Sequence, residues 1–315
     1  MITKNPSPAS KVNKFKEYAR RITEHHFGTR PRRIGFKPSG LTNFVFGVSH
    51  KDGDFIVRIS PEAASLNLFI KEQWAQKAAQ KAGVPTAEIL EVGSSVVPVP
   101  YMVTRHVEGE TATSHPKRSE ILRELGSLAA KINGIRTKGF GSTFDWSNNL
   151  LSRNDSWKSY LQNEFNFEAK LDVLEDLRVA TPRQTRLLRK TFKDAAGMNA
   201  RSALNHGDLR LKNVLADREG KITALLDWGS AISNLAPHWE FSLALHDLGI
   251  DEKQHFIEGY GIKPKQLADA APLVKAFNML NYIPEIERAA REKDKTALDR
   301  IKARFSGIFD LYSVV

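Results

Sequence analysis

The chain has 315 residues, 41% of them hydrophobic, and a formal net charge of +11 at pH 7. This length is enough to bury a substantial core, in one large or two smaller domains. The absence of cysteine excludes disulfides and zinc–thiolate sites, and it makes a reducing cytoplasm the expected location. The N-terminus lacks an apolar signal core, and the weakly polar run 92–104 is broken by prolines and too short to cross a bilayer.

The N-terminal segment holds most of the positive charge. Residues 1–60 contain twelve Lys or Arg and only four Asp or Glu. Within them Val12, Phe15, Ala19 and Ile22 fall at helical spacing among basic residues. We predict an amphipathic helix that packs on the body of the protein. The alternatives are a surface for nucleic acid or an anionic membrane, or an electrostatic funnel for a nucleotide.

A β-rich region follows this helix. Strands are predicted over 34–37, 43–48 and 55–59, and the Asp-Gly pair at 52–53 is typical of a hairpin turn between the last two. A helix is then predicted over 65–81. Beyond it a strand begins near residue 101, and the remainder of the chain is predicted to be mainly helical.

The predicted helices of the second half share apolar residues at helical spacing, and they cover 119–132, 157–167, 185–198, 239–248, 252–260 and, with breaks, 264–304. The segment 139–143 begins like a dinucleotide-binding loop. It lacks the third glycine and a preceding strand, so we interpret it as a linker.

The strongest motif is His-Gly-Asp-Leu-Arg-Leu-Lys-Asn at 206–213, followed by Asp-Trp-Gly at 227–229. A strand over 213–217, a turn and a return strand ending at Asp227 would bring Asn213 and Asp227 to the same end of a hairpin. A carboxylate such as Asp208 can orient and deprotonate an attacking hydroxyl. The side-chain oxygens of Asn213 and Asp227 can hold Mg²⁺ against a triphosphate. Each residue alone is better interpreted as a turn or cap residue, but the ordered set favours phosphoryl transfer.

This arrangement resembles the aminoglycoside/choline kinase superfamily, which shares its fold with protein kinases. The stretch 206–232 is similar to the hygromycin-type antibiotic phosphotransferases, whereas protein kinases carry His-Arg-Asp and Asp-Phe-Gly. The resemblance covers most of residues 34–260. It implies an α+β, protein-kinase-like two-lobe fold, with a small antiparallel β N-lobe over 1–107 and a larger helical C-lobe over 108–315.

The resemblance also implies roles for individual residues. Asp208 would be the catalytic base, and Asn213 and Asp227 the ligands of Mg²⁺. Lys212 would approach the γ-phosphate or remain a solvated cation, while His206 would hold the loop and Glu240 would place the substrate or support the loop. The residues that would bind ATP or GTP are Ser39, Gly40, Thr42 and Asn43 in the phosphate loop, the pair Arg58 and Glu72, and the hinge backbone from Thr104 to His106.

The implied reaction is transfer of the γ-phosphoryl group of ATP or GTP to a hydroxyl of an aminoglycoside or related antibiotic. A polycationic sugar favours an acidic pocket, for which the candidates are Asp247, Asp251, Glu252 and Glu258. A metabolic alcohol, amino alcohol or nucleoside is the alternative acceptor. Two other classes stay open, namely a non-catalytic nucleotide-binding module and a nucleic-acid-binding protein that uses the basic N-terminus. The expected partner is a small-molecule substrate, with a monomer or homodimer and no membrane.

Overall fold

A computed structural model describes the backbone of residues 8–38, 43–142, 144–145, 150–151 and 154–311, and the side chains of residues 10–38, 43–142 and 154–306. No helix in these ranges combines the length and the apolar character that a bilayer crossing requires. The chain folds into an N-terminal antiparallel sheet region and a helical C-terminal region, which confirms the predicted fold class.

The N-terminal sheet has five strands in the order β1-β2-β3-β5-β4, all antiparallel to their neighbours. Their bounds are β1 (Arg33–Lys37), β2 (Phe44–His50), β3 (Gly53–Ile59), β4 (Ile89–Gly93) and β5 (Tyr101–Arg105). Side chains alternate between the two faces of a strand, and one face of β2 and β3 is apolar except for the buried His50. Its buried members include Phe46, Val48, Phe55, Val57 and Ile59.

Helix α1 (Pro8–Phe27) covers this apolar face. Phe15, Ala19 and Ile22 are buried against the sheet, and the ring of Phe15 stacks on Phe44 with their centroids 3.9 Å apart. The lysines of the helix are exposed on its opposite side. The predicted packing of the basic helix on the body of the protein is therefore confirmed.

Helix α2 (Ser65–Lys81) has the predicted bounds and joins the two regions, because Ala75 and Ala79 share a core with Trp228 and other C-terminal residues. Strand β6 (Glu110–Thr111) pairs with a later strand of the C-terminal region, and β5 has already ended at Arg105. We therefore keep the division of the lobes after residue 107 as a proposal.

The C-terminal region is mainly helical, and the short sheets within it position the motif residues. Its helices are α3 (Arg118–Asn133), α4 (Trp157–Asn163), α5 (Phe167–Asp176), α6 (Pro182–Ala196), α7 (His238–Ala244), α8 (Ile250–Tyr260), α9 (Pro264–Leu280), α10 (Ile283–Arg291) and α11 (Lys295–Leu311). Its strands are β7 (Phe144–Asp145), β8 (Leu150–Leu151), β9 (Ser202–Asn205), β10 (Val214–Ala216), β11 (Ile222–Leu225) and β12 (Ile232–Leu235).

The prediction of one helix over 157–167 was wrong. The chain ends α4 and begins α5 around Asn166, whose backbone is left-handed with a φ of 50°. The side-chain oxygen of Asn166 accepts a hydrogen bond from the N–H of Ala169, which caps the new helix. A polar residue that can form its own cap therefore interrupts an apolar pattern that would otherwise continue as helix.

Helices α3 and α8 cross with their backbones in contact. A Cβ atom added to Gly126 would lie 2.0 Å from the carbonyl oxygen of Phe256, and one added to Gly259 would lie 1.9 Å from that of Arg123. Both distances are far below van der Waals contact, so the crossing requires glycine on each helix. This contact fixes the position of α3 behind the motif loop.

Candidate active site

The loop 206–213 begins where β9 ends, and glycine is required at its second position. Gly207 has a φ of 77°, and a Cβ atom there would lie 2.3 Å from the carbonyl oxygen of Ser230. A left-handed backbone and close contact with a neighbouring chain segment both exclude a larger residue. The motif glycine therefore allows the loop to pack directly against the segment that follows Asp-Trp-Gly.

Glu240 on α7 supports the loop from behind. Its carboxylate accepts hydrogen bonds from the N–H groups of His206, at 2.6 Å, and Gly207, at 3.2 Å. The side chain is completely buried, and burial raises the pKa of Glu240 to about 7. Of the two roles considered for Glu240, this position matches support of the loop.

His206 links the loop to the hairpin. Its Nε2 donates to the carbonyl oxygen of Leu226 at 3.1 Å, and its Nδ1 accepts from the N–H of Asp208 at 3.2 Å. The ring packs on Trp228, with their centroids 4.4 Å apart. Burial lowers the pKa of His206 to about 4. Because one nitrogen must accept, the imidazole is neutral, and it holds the loop as the sequence predicted.

Asp208 is the carboxylate at the centre of the site, and only 14% of its side chain is exposed. The side-chain amide nitrogen of Asn213 donates hydrogen bonds to the backbone oxygen and to Oδ2 of Asp208, each at 2.9 Å. Lys212 lies 3.1 Å from the same Oδ2, and Arg210 donates to Oδ1. Partial burial opposes ionisation, but Arg210 and Lys212 outweigh it and lower the pKa of Asp208. The carboxylate is therefore held in one orientation and ionised near neutral pH.

Asn213 and Asp227 meet at one end of the hairpin formed by β10 and β11, as their spacing predicted. Val214 pairs with Leu225, and the N–H of Leu226 donates to the carbonyl oxygen of Asn213 at 2.8 Å. Asp227 is exposed and has a left-handed backbone with a φ of 60°. The hairpin therefore brings Asp227 to the end where Asn213 contacts Asp208.

The residues present fit a Mg²⁺ ion. The amide nitrogen of Asn213 is used by Asp208, which leaves its side-chain oxygen as the group for a metal, and the Asp227 carboxylate provides a second oxygen. Within the described side chains there is no cluster of three His, Asp or Glu residues that forms a closed metal site. Mg²⁺ ordinarily takes one or two carboxylates and completes its shell with water and phosphate oxygens, so two protein ligands suffice.

Arg58 and Glu72 form the predicted ion pair, with two contacts of 2.7 and 3.1 Å. Glu72 is fully buried, and the guanidinium lies 5.3 Å from the ring centroid of Phe69. Burial disfavours the charge on Arg58, but Glu72 more than offsets this and raises its pKa. The pair lies next to the Asp-Trp-Gly segment, because a Cβ atom on Gly229 would be 3.3 Å from Glu72 Oε1.

The remaining predicted nucleotide contacts are located only in part. Ser39, Gly40 and Thr42 lie outside the described residues, and Asn43 directly precedes β2. Thr104 is buried in β5 between β3 and β4, and His106 follows the strand. The N–H groups of Arg105 and His106 both donate to carbonyl oxygens within the sheet region. The N–H groups of Arg105 and His106 are thus already hydrogen-bonded within the protein. Adenine recognition between Thr104 and His106 stays a prediction.

The four carboxylates predicted for a polycation do not form one acidic pocket. Glu252 contacts Arg118 on α3, Glu258 lies 3.2 Å from Arg123, and Asp251 is exposed in the first turn of α8. Asp247 lies close to the loop, but it too contacts cationic side chains. The expected acidic pocket is therefore not formed by these four residues, because Glu252 and Glu258 on α8 face arginines of α3.

Asp247 connects the loop to the C-terminal helix. Its two oxygens lie 3.8 Å from Arg210 and 3.7 Å from Arg304, and one accepts from His246 at 2.8 Å. Arg304, on α11, also donates to the hydroxyl of Tyr282. Arg304 and Tyr282 were not predicted, because the packing of helices that are distant in sequence brings them near the loop.

A cavity of about 210 Å³ opens beside the loop. Its lining includes five leucines, three basic residues and one acid: Leu122, Leu125, Leu209, Leu211, Leu248, Arg118, Arg210, Lys212 and Asp247. Since Arg210 and Lys212 also contact Asp208, the cavity adjoins the carboxylate proposed to activate the acceptor. It is a space for part of a small molecule.

Comparisons with known proteins agree with this geometry. The profile of the phosphotransferase enzyme family matches residues 36–273. Hygromycin-B 4-O-kinase of Escherichia coli is 23% identical over 175 residues, which cover 52% of this chain and 48% of that enzyme. The chain thus spans about half the length of the curated relative it matches.

Solved structures share the fold over nearly the whole chain. A thermostable mutant of aminoglycoside phosphotransferase APH(4)-Ia, in a ternary complex with AMP-PNP and hygromycin B, is 17% identical with a TM-score of 0.67, and the match covers 94% of this chain and 99% of that one. The GDP and kanamycin complex of APH(2")-IIia is 14% identical with a TM-score of 0.65, and that match covers 93% and 98%. The chain belongs to the phosphotransferase enzyme family.

Proposed function

We propose that this protein transfers the γ-phosphoryl group of ATP or GTP to a hydroxyl group of a small molecule. The observation that carries the proposal is the meeting of three polar groups at one end of a hairpin. Asp208 lies next to Asn213 at 2.9 Å, and the hairpin brings Asp227 to the same end. These are the base and the two oxygen ligands that phosphoryl transfer requires.

In this reaction Asp208 orients the acceptor hydroxyl and receives its proton. The hydroxyl oxygen forms a bond to the γ-phosphorus as the bond from that phosphorus to the β–γ bridging oxygen breaks, and the nucleoside diphosphate leaves with the electron pair. Mg²⁺ held by Asn213 and Asp227 would neutralise phosphate charge. Arg58, positioned by Glu72, would bind a nucleotide phosphate, and Lys212 would stabilise the charge of the transferred group.

The names of the relatives make an aminoglycoside or related antibiotic the first acceptor to test. A metabolic alcohol, amino alcohol or nucleoside is the second candidate, and one observation favours it. Three of the acids predicted to receive a polycation, Asp247, Glu252 and Glu258, already contact arginines. A ligand with several ammonium groups would have to compete with those arginines.

The other two classes receive less support. A non-catalytic module requires none of the three polar motif residues, yet all are present and meet in the structure. A nucleic-acid surface on α1 remains chemically possible for its exposed lysines, but the helix already has a packing role through Phe15 and Ile22.

The test is mass spectrometry of aminoglycosides, amino alcohols, nucleosides and sugars after incubation with the protein and Mg-ATP or Mg-GTP. We expect one product that is heavier by one phosphoryl group. Asp208→Ala should lower turnover by roughly 10²- to 10⁴-fold, as loss of a general base does, and should still bind Mg-ATP. Asp194→Ala on α6, where the exposed acid pairs with its neighbour Lys190, is the matched control that should retain activity. Full activity of Asp208→Ala would refute the proposed role.

A further inference from the structure

A chain of alternating charges runs from the loop 206–213 to helix α11. Asp208 contacts Arg210, Arg210 lies 3.8 Å from Asp247, and Asp247 lies 3.7 Å from Arg304. The outer part of this chain is accessible, since 50% of the Asp247 side chain and 53% of the Arg304 side chain are exposed. We call Arg210, Asp247 and Arg304 the acceptor wall.

Positive charge exceeds negative charge along the acceptor wall and the loop beside it. Arg210 pairs closely with Asp208, which Lys212 also contacts at 3.1 Å. Arg210 and Arg304 both reach Asp247 at distances too long for a tight bidentate pair, so three cations accompany two carboxylates. Burial lowers the pKa of Lys253, and the nearby charge of Arg304 lowers it further. Burial likewise lowers the pKa of His246, with Arg304 and Arg210 adding to the effect although Asp247 opposes it. Positive charge is thus disfavoured beside Arg304, whereas at Arg210 the carboxylates of Asp208 and Asp247 favour it and raise the pKa of the guanidinium. An additional cation on the Arg304 side of the wall would therefore meet like charge.

The adjoining cavity has an apolar floor and a polar rim. Leu122 and Leu125 from α3 and Leu209 from the loop line it, while Arg210 and Lys212 line it beside Asp208. A molecule that fills this space would place hydrocarbon against the leucines and its polar groups near the basic side chains. Such a division between apolar walls and a few placed polar groups is usual in small-molecule sites.

We propose that the acceptor is an alcohol carrying an anionic group, a carboxylate or a phosphate ester, which binds Arg210 and Arg304 while its hydroxyl reaches Asp208. The proposal rests on the proposed kinase function and names its substrate class. An incoming anion would replace the long contacts of Asp247 with its own hydrogen bonds to the guanidinium groups. Because these ion pairs are half exposed, exchanging them costs little free energy.

A cationic acceptor would meet the opposite situation. Its ammonium group would have to take Asp247 from two arginines and would then lie among Arg210, Arg304 and Lys253. Like charges brought together in a site cost free energy, and this repulsion discriminates between ligands. The acceptor wall thus selects for the charge of the substrate as well as for its shape.

The experiment measures the binding of matched compounds to the full chain with Mg-AMP-PNP by calorimetry. Sets that share a carbon skeleton and carry different charged groups include glucose, glucosamine, glucuronate and glucose 6-phosphate, together with glycerol, glycerate and glycerol 3-phosphate. Hygromycin B serves as a polycationic comparator. We expect an acid to bind on the order of tenfold more tightly than its neutral counterpart and the amine to bind most weakly. The carboxylate and phosphate arms distinguish the two sources of the anion.

Variants locate the effect. Arg304→Gln should weaken binding of the preferred acid by about tenfold and leave the neutral compound within about twofold, as expected for loss of one charge-assisted contact. Arg186→Gln, an exposed arginine of α6, is the matched control and should change neither. The proposal would be overturned if no acid bound more tightly than its neutral counterpart. It would also be overturned if Arg304→Gln left the affinity for the acid unchanged.

Turnover of the same compounds separates this proposal from the proposed function. A phosphorylated neutral or cationic product that depends on Asp208 would support the kinase function and, if formed with the highest kcat/KM, overturn the anionic preference. Arg304-dependent binding of acids with no product and no binding of Mg-ATP would instead overturn the kinase function and leave an anion site.

Discussion

The two sides of the active site handle charge in opposite ways. On the proposed nucleotide side, Glu72 is fully buried and holds Arg58 through two hydrogen bonds. On the proposed acceptor side, Asp247 is 50% exposed and lies 3.8 Å from Arg210 and 3.7 Å from Arg304. A fixed pair would suit a nucleotide that is the same in every turnover, whereas groups that can change partners would suit an acceptor that must enter among them.

The physical difference is desolvation. Removing one partner from a buried pair leaves a charge that water cannot reach, and this destabilises a protein strongly. Removing one partner from an exposed pair leaves a charge that water solvates, and the effect on stability is small. Stability measurements and binding measurements can therefore distinguish the two sides.

The largest expected effect on stability is that of Glu72→Ala. Loss of the buried partner should lower the free energy of unfolding by about 3–5 kcal/mol, because Arg58 is left uncompensated. Urea denaturation would measure it. The control is Glu88→Ala, which removes an acid from an exposed pair with Arg105 at 2.9 Å and should cost less than about 1 kcal/mol. Similar losses in the two variants would contradict the distinction between the two sides.

The buried groups His206 and Glu240 behind the loop should make the free energy of unfolding depend on pH in opposite directions. The pKa of His206 is lowered to about 4, so the stability it contributes is present above pH 6.5 and lost as the pH falls through 4. The pKa of Glu240 is raised to about 7, so its contribution is present below pH 4.5 and lost as the pH rises through 7. Their pH dependences oppose each other between these limits.

Replacing Glu240 should expose this opposition. Relative to Glu240→Gln, the wild type should be more stable at pH 5 than at pH 8, by up to about 3 kcal/mol. Unfolding free energies across this range would show the difference, and the NMR resonances of His206 should indicate a neutral ring down to about pH 4. A His206 ring that titrates near pH 6.5 would be inconsistent with its burial and hydrogen bonds.

The smallest expected effect on stability is that of Asp247→Asn. An exposed acid with long contacts should change the free energy of unfolding by less than about 1 kcal/mol. Neutralising it frees Arg210 and Arg304, so acidic acceptors should bind several-fold more tightly, by roughly the strength of one surface ion pair. A large loss of stability, or weaker binding of acids, would contradict this prediction and show that Asp247 behaves like the buried Glu72.

Much of the fold could be predicted from the sequence because local patterns determine it. Helix α2 has the predicted bounds, and the hairpin between β2 and β3 follows from the Asp-Gly turn. Strands β9 and β12, only four residues each, were not predicted. Their residues are buried because the surrounding helices cover them, and a short segment carries too little periodicity to reveal this.

The candidate site could be predicted where its residues follow a fixed order along the chain. That order anticipated the proximity of Asp208 to Asn213 and of Arg58 to Glu72. Arg304 could not be found in this way, because it reaches Asp247 only through the packing of α11 against the C-terminal core. The acidic pocket was inferred from the acceptor that the resemblance implies, and the order of residues along the chain does not reveal that Glu252 and Glu258 face arginines.

The close crossing of α3 and α8 limits how this enzyme can evolve. Gly126 and Gly259 allow no larger residue, so α3 cannot move outward to deepen the cavity whose floor includes Leu122 and Leu125. The exposed residues of the acceptor wall carry no such restriction. Changes of substrate in this lineage should therefore accumulate at the rim, where a mutation alters charge at little cost to stability, while the floor is inherited unchanged.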